Sequence, residues 1–412
     1  MLQSLVAGLV RTGTFDLTLP GSGTRRYGDG TGKPVAVTIT DPALVRRLAL
    51  RPDLAVGEGY MEGSLTIAGD DLHGFLGLIL ANTARGTSVW WRRPFEAANY
   101  ALRRFQMHNP AARSRQNVAH HYDLSSELYA LFLDEDRQYS CAYFRTPDDT
   151  LEQAQRQKKA HIAGKLLLRP GLRVLDIGCG WGGMAITLAR DYGVHVLGVT
   201  LSEEQHRIAN ERVRAAGLQD RVEIRLTDYR DVTGRFDRIV SVGMFEHVGV
   251  PQFRTYFRKV QSLLAEDGVA LIHTIGRAEP PSYTSGFILK YIFPGGYVPA
   301  MSEMTRAIEA EGLWPADVEV WRLHYAETLR HWHERFMARA DRVRAIYDDR
   351  FIRMWRFYLV ASEMAFRAGR QCVFQVQLSR RLDAVPVTRD YLYAPPAPAQ
   401  GQGRPRPVAA AE

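Results

Sequence analysis

The apolar positions of this chain change their rhythm along its length. Near the N-terminus, FDLTL and VAVTI alternate apolar and polar residues and predict two short strands, joined by the turn-rich GSGTRRYGDGTGKP. DPALVRRLAL then has helical spacing, with Asp41 placed to cap it and Pro42 at its first position. These stretches predict a small α+β domain over residues 1–84. From about residue 117 the pattern becomes strand and helix in alternation. A polar helix, LEQAQRQKKAHIAGKLLL, leads into a strand at 172–177, and further strands are predicted at about 194–199, 221–226, 236–242 and 268–275. Helices are predicted between them at about 203–216 and 252–265. That rhythm specifies an α/β fold with a doubly wound, mostly parallel sheet. After residue 276 it breaks into EPPSYTSGFILKYIFPGGYVPAMSEM, apolar, aromatic and punctuated by Pro and Gly, a candidate helical lid over about 277–305 that would suit a greasy substrate. Two long helices, at about 326–346 and 350–368, and the alternating strand CVFQVQLS close the catalytic domain, whose expected span is 117–393. The low-complexity tail 394–412 is expected to be disordered.

Composition narrows the partners. The chain has 412 residues, 46% of them hydrophobic, enough for two domains, and its formal net charge is +8. A basic excess favours an anionic partner, either nucleic acid or an anionic membrane surface. The charge concentrates in the linker 85–116, where arginines 85, 92, 93, 103, 104, 113 and 115 face one acid, Glu96. Trp90, Trp91, Phe95, Tyr100 and Phe105 are interleaved with them. Such a mixture fits a lipid headgroup layer, a nucleic-acid backbone with stacked bases, or a solvated linker helix whose rings pack on a neighbouring domain. No apolar run reaches 18 residues, so no membrane span is expected, and the first residues lack a signal peptide's basic start. Cys141, Cys179 and Cys372 are too widely spaced for a disulfide framework or a zinc ribbon, which suggests a reducing cytoplasm.

The chemistry centres on RVLDIGCGWGG, Arg173 to Gly183. A strand ends in Asp176 and turns at once into Gly178, Gly180, Gly182 and Gly183, so the backbone can approach a ligand closely at a helix N-terminus. The order is acid-x-G-x-G-x-G, not the dinucleotide G-x-G-x-x-G, and it resembles motif I of the class I S-adenosylmethionine-dependent methyltransferases. A carboxylate at the strand end suits a cationic amino-acid cofactor better than a phosphate. The second strand lacks the usual ribose-binding acid and ends in Thr200, Leu201 and Ser202, with Gln205 after them. Ser202-x-x-Gln205 also reads as a capping box. Asp228 and Tyr229 follow the third strand, where a carboxylate could accept from the adenine amino group, and Gly243 follows the fourth.

Further stretches, YSCAYF (139–144), MFEHVG (244–249), LIHTIG (271–276), FPGGYVP (293–299) and HYAETLRHW (324–332), together resemble the cyclopropane-fatty-acyl-phospholipid synthases and the mycolic acid cyclopropane synthases. HYDLSSELY, TLSEEQ and, more weakly, GEGYMEG (57–63) agree. The resemblance implies a seven-stranded methyltransferase sheet and S-adenosylmethionine as cofactor, with Tyr139 and Ser140 joining the cofactor site. It also implies methylene transfer to the cis double bond of an unsaturated phospholipid. A bound bicarbonate would deprotonate the carbocation, held by Cys141, Glu246, His273, the backbone of Ile275, and Tyr325. The faces of Tyr325 and Tyr143 could stabilise that cation. The expected setting is cytoplasmic, on the inner membrane face, and a homodimer is expected of the family. Many relatives carry a cysteine where this chain has Ser362, so a nucleophilic thiol there is not required.

Each of these residues has a plainer account, as a loop start, a core histidine or a small buried thiol; their joint placement beside the cofactor favours the anion site. Without a C-x-x-C or H-x-x-x-H pair, no metal is expected. Two other readings stay open. One is an acyl C-methyltransferase that leaves a methyl or methylene branch. The other is a nucleic-acid-binding protein or methyltransferase, which the apolar insertion fits badly.

Overall fold

The computed structural model describes residues 2–83 and 126–393, so the basic linker and the C-terminal tail lie outside the described residues. The N-terminal part forms a four-stranded sheet, β1 (Phe15–Leu19), β2 (Gly23–Tyr27), β3 (Val35–Ile39) and β4 (Leu65–Ile67), in the order β2-β1-β3-β4. Phe15, Leu17 and Leu19 alternate into the core while Asp16 and Thr18 face outward, as the sequence period requires. β2 was read as a turn because its residues are polar. It is an exposed edge strand whose Arg26 forks onto Asp16 at 2.7 and 2.9 Å. Asp41 caps the helix Pro42–Leu50 by accepting from the Ala43 amide. Helices Leu2–Leu9, Pro52–Met61 and Leu72–Thr83 complete this part.

The second sheet has seven strands in the order β10-β11-β9-β8-β5-β6-β7. Its parallel strands are β5 (Arg173–Ile177), β6 (His195–Thr200), β7 (Val222–Leu226), β8 (Phe236–Val242) and β9 (Leu264–Arg277). β11 (Gln371–Ser379) pairs antiparallel with β9, and β10 (Trp314–Trp321) pairs antiparallel with β11, so only β11 runs against the other strands. β5 lies inside the sheet between β8 and β6, with Val174 to Ile177 all buried, and so reads as an apolar run rather than an alternation. Helices Gly183–Tyr192, Glu203–Ala215 and Phe253–Leu263 cross between the parallel strands. This is the doubly wound sheet of the class I methyltransferases.

Two sequence expectations change. The candidate lid is helical only in part: residues 278–300 hold one π-helical turn, Ile288–Ile292, and a regular helix begins at Met301, within the expected span. The helix expected over 326–346 is two, His324–Met337 and Ala340–Ile346. The polar helix Leu151–Lys165, whose composition suggests a wet surface, buries Gln155, Lys158, Lys159, His161 and Lys165. Finally, the helix Asp349–Arg367 lies against the N-terminal part. Arg353 Nε donates to the Met61 carbonyl, Arg356 pairs with Asp70, and Glu363 meets His73.

Candidate active site

A cavity opens at the carboxyl ends of β5, β6, β7 and β8, where ligands of doubly wound sheets sit. Asp176 and the turn Gly178–Trp181 form its floor, Thr200, Leu201 and Gln205 one flank, and Thr227 to Arg230 the far end. Residues 137–140 close it from the side. The turn needs glycine at 178: its φ is 83°, and a Cβ there would sit 3.0 Å from the Cβ of Met244. Asp176 is 2% exposed, and its Oδ2 has no hydrogen-bond partner among the described residues. Burial lifts its carboxyl to about 7, partly offset by the ammonium of Lys158. An orphaned, buried carboxylate is what a cationic ligand would satisfy. The residues present therefore fit S-adenosylmethionine.

A second cavity adjoins the first and shares Tyr139, Ser140, Gly243 and His247 with it. Cys141, Glu246, His273, Ile275 and Tyr325 all line this second space, closed by Ile288, Phe293, Tyr297 and Val298 of the 278–300 segment. Glu246 Oε1 accepts from the Ile275 amide at 2.7 Å, while its Oε2 is buried without a hydrogen-bond partner among the described residues. Burial pushes this carboxyl up to about 7, against the pull of the Ile275 N–H. His273 is held neutral, its pKa driven well below the usual value by burial and by the nearby cations of Lys158 and Lys165. Its Nδ1 lies 3.0 Å from Gln375 Nε2, so Nδ1 accepts and Nε2 keeps the proton. Cys141 is fully buried, its thiol pushed up in pKa by desolvation, and its Sγ donates to the Ala142 carbonyl. A thiol so placed is not an activated nucleophile.

Several of these residues have partners or places that the sequence does not indicate. The Ile275 amide, which the resemblance gives to a bound anion, is engaged by Glu246. Asp228 lines the cofactor cavity, where its two oxygens accept from the Arg230 guanidinium at 2.9 and 2.6 Å, which fixes the carboxylate's orientation. Gly182 and Ser202 line neither cavity and act on local structure. Gly182 precedes the helix Gly183–Tyr192, and Ser202 caps the next helix by accepting from the Gln205 amide. The capping box is half formed, because Gln205 Oε1 takes the Thr200 hydroxyl instead of the Ser202 amide. Tyr143 stacks on His161 with centroids 4.7 Å apart, outside the second cavity. Ser362 is half-buried in the helix Asp349–Arg367 and also lines neither. Tyr139, Ser140, Gly178, Gly180, Thr200, Leu201, Gln205, Tyr229 and Gly243 do face the first cavity. Gln138, Trp181, Thr227, Arg230 and His247 join them without having been singled out as ligands. Each had a sequence signal of position: Trp181 and His247 lie inside quoted motifs, and Gln138, Thr227 and Arg230 adjoin named site residues.

Fold and cavity together define an S-adenosylmethionine-dependent methyltransferase of class I. The sequence model of the family described as mycolic acid cyclopropane synthetase matches residues 109–376, and the chain belongs to that family. It is 39% identical over 356 residues to the cyclopropane-fatty-acyl-phospholipid synthase of Escherichia coli K12, covering 85% of this chain and 89% of that one. It is 37% identical over 354 residues to a probable fatty acid methyltransferase of Pseudomonas putida, covering 82% and 86%. Among solved structures, the mycolic acid cyclopropane synthase CmaA1 complexed with SAH and CTAB superposes with a TM-score of 0.62 at 34% identity, covering 66% of this chain and 98% of that one.

Proposed function

We propose that this chain builds cyclopropane rings on the cis double bonds of unsaturated phospholipid acyl chains, at the inner face of an anionic membrane. The observation that supports this most is the second cavity. It is walled by aromatic and aliphatic side chains, it shares four residues with the cofactor cavity, and it holds an unpartnered carboxyl oxygen beside a neutral histidine N–H. Bound S-adenosylmethionine supplies an electrophilic methyl group on sulfur. Asp176 faces its cationic portion and the glycine turn lets the backbone approach. Tyr139, Ser140, Gly243 and His247 form the passage between cofactor and acyl chain.

When an alkene carbon takes the methyl group, the other alkene carbon becomes cationic. Loss of a proton from the new methyl then closes the ring. A bicarbonate in the second cavity would supply the base. Glu246 Oε2 would accept from its hydroxyl, His273 Nε2–H would donate to an oxygen, and Tyr325 and Cys141 would bound it. The lid residues Phe293 and Tyr297 keep water from the cation. The net charge of +8 and the arginine-aromatic segment 85–115, which lies outside the described residues, support docking on an anionic lipid surface. Among the described residues no helix is long and apolar enough to cross a membrane.

Vesicles of unsaturated phospholipid, incubated with protein and S-adenosylmethionine, should gain one CH₂ per chain that resists hydrogenation. A gain that appears by NMR as a methyl or methylene branch would replace ring closure with the acyl methyltransferase reading, which the Pseudomonas relative's name favours. Salt-sensitive binding to RNA, with none to anionic liposomes, would sink the lipid reading.

A further inference from the structure

The helix Leu151–Lys165 holds the same two residues of the cavity wall twice. Gln155 Nε2 donates to the backbone carbonyls of Gln138 and Ser140 at 3.2 and 3.0 Å. One turn further on, Lys158 Nζ donates to the side-chain oxygens of those residues, Gln138 Oε1 and Ser140 Oγ, at 2.8 Å each. Lys158 is fully buried and lines neither cavity itself. An ammonium that deep is costly, and the hydrogen bonds it makes among the described residues go to neutral oxygens. Asp134 is close enough to favour its charge, yet burial still draws the ammonium down to about 7.

Because an ammonium only donates, its two acceptors are fixed in orientation. Ser140 Oγ receives from Lys158, which leaves the hydroxyl proton free to donate elsewhere, and Ser140 borders both cavities. The cofactor cavity thus meets two buried charges of opposite sign. Asp176 carries the negative one directly, and Lys158 projects the positive one through the Ser140 hydroxyl. That pairing matches the zwitterionic end of an amino acid. The methyl must face the second cavity, so the sulfur sits near the shared residues, and its amino-acid arm starts beside Ser140. We propose that Lys158 is a positioning residue that makes the Ser140 hydroxyl a charge-backed donor to the cofactor's carboxylate. The inference rests on S-adenosylmethionine as cofactor.

The test compares two ligands by calorimetry. One is S-adenosylhomocysteine; the other is 5′-(3-aminopropylthio)-5′-deoxyadenosine, which keeps the amine and lacks the carboxylate. Wild type should bind the first more tightly. Lys158→Met should weaken it roughly tenfold to a hundredfold, the range expected for losing a charge-assisted hydrogen bond, and leave the decarboxylated ligand unchanged. Lys158→Arg should restore part of the difference. Ser140→Ala, which leaves the buried helix intact, should show the same selective loss, and adding Lys158→Met to it should cost little more. Equal weakening of both ligands in both single variants, or unchanged binding of both, overturns the inference. Failure of wild type to bind S-adenosylhomocysteine would instead overturn the cofactor assignment.

Discussion

Glu246 accepts a hydrogen bond from the Ile275 amide at 2.7 Å, tying the loop after β8 to the end of β9. One carboxyl oxygen therefore serves the fold and the other faces the second cavity. Glu246→Gln should separate these tasks. The amide oxygen can still accept from Ile275, so stability and S-adenosylhomocysteine affinity should hold. Turnover should fall by roughly a hundredfold or more, the scale on which a misplaced proton acceptor is felt. Initial rates on phospholipid vesicles, with calorimetry on the same preparation, check both halves; full turnover would remove Glu246 from the chemistry.

His273 and Gln375 face each other across β9 and β11 as register partners. Gln375 fixes which imidazole nitrogen holds the proton. Gln375→Leu should free both tautomers and lower kcat by about tenfold. Gln375→Glu should do more harm, because a carboxylate would draw the proton to Nδ1 and turn Nε2 into an acceptor. A kcat for the Glu variant equal to or above that of the Leu variant would contradict this orientation.

Asp176 gives the protein a pH dependence of known sign. Its carboxyl is raised from 3.8 to about 7 in the folded chain. Between those values the folded chain holds a proton that the unfolded chain has released. Stability of the ligand-free protein therefore falls as pH rises through this window, by up to about 1.4 kcal/mol per unit, and the loss is complete above about pH 7. Asp176→Asn should remove this residue's share of the slope, leaving the part due to Glu246, and should melt higher than wild type at about pH 8. Saturating S-adenosylhomocysteine should flatten the wild-type slope as well, since its ammonium favours the ionised acid. Parallel melting curves for the two proteins across about pH 5 to 8 would show that the carboxyl is not buried as described.

The residues that were easy to read in the sequence are those whose role is local. Gly178 follows from a strand that ends in an acid and must turn sharply, and Asp41 from the helix it caps. The strands β5, β6 and β8 announce themselves because both faces are covered. Roles that depend on distant partners stayed hidden. Nothing near Ile275 says that Glu246, 29 residues earlier, takes its amide. The polar helix Leu151–Lys165 hides the most. Its lysines and glutamine look solvated by composition, and are buried because the 134–140 loop and Glu319 of β10 supply their partners. β10 itself was overlooked, since Pro315, Asp317 and Glu319 interrupt its apolar pattern.

Gly57 reaches the second cavity without touching it. It lies in the helix Pro52–Met61, and a Cβ built on it would fall 2.3 Å from Cδ2 of Phe287. Phe287 precedes Ile288, which lines the second cavity, and the same helix ties down this segment through Glu58, which accepts from Lys290 and Tyr291. Alanine is the better helix former by about 1 kcal/mol, so propensity alone would make Gly57→Ala stabilising. The clash should win, because the Phe287 ring is packed at 4.8 Å against Phe357 and has little room to withdraw. The variant should melt lower than wild type and turn over acyl chains more slowly. S-adenosylhomocysteine should bind it normally, since the cofactor cavity shares no wall with Phe287. Gly57→Ala combined with Phe287→Leu, which trims the ring, should recover part of both losses. A single variant that melts higher than wild type would mean the lid segment yields at Phe287, and that the N-terminal part does not hold the second cavity shut.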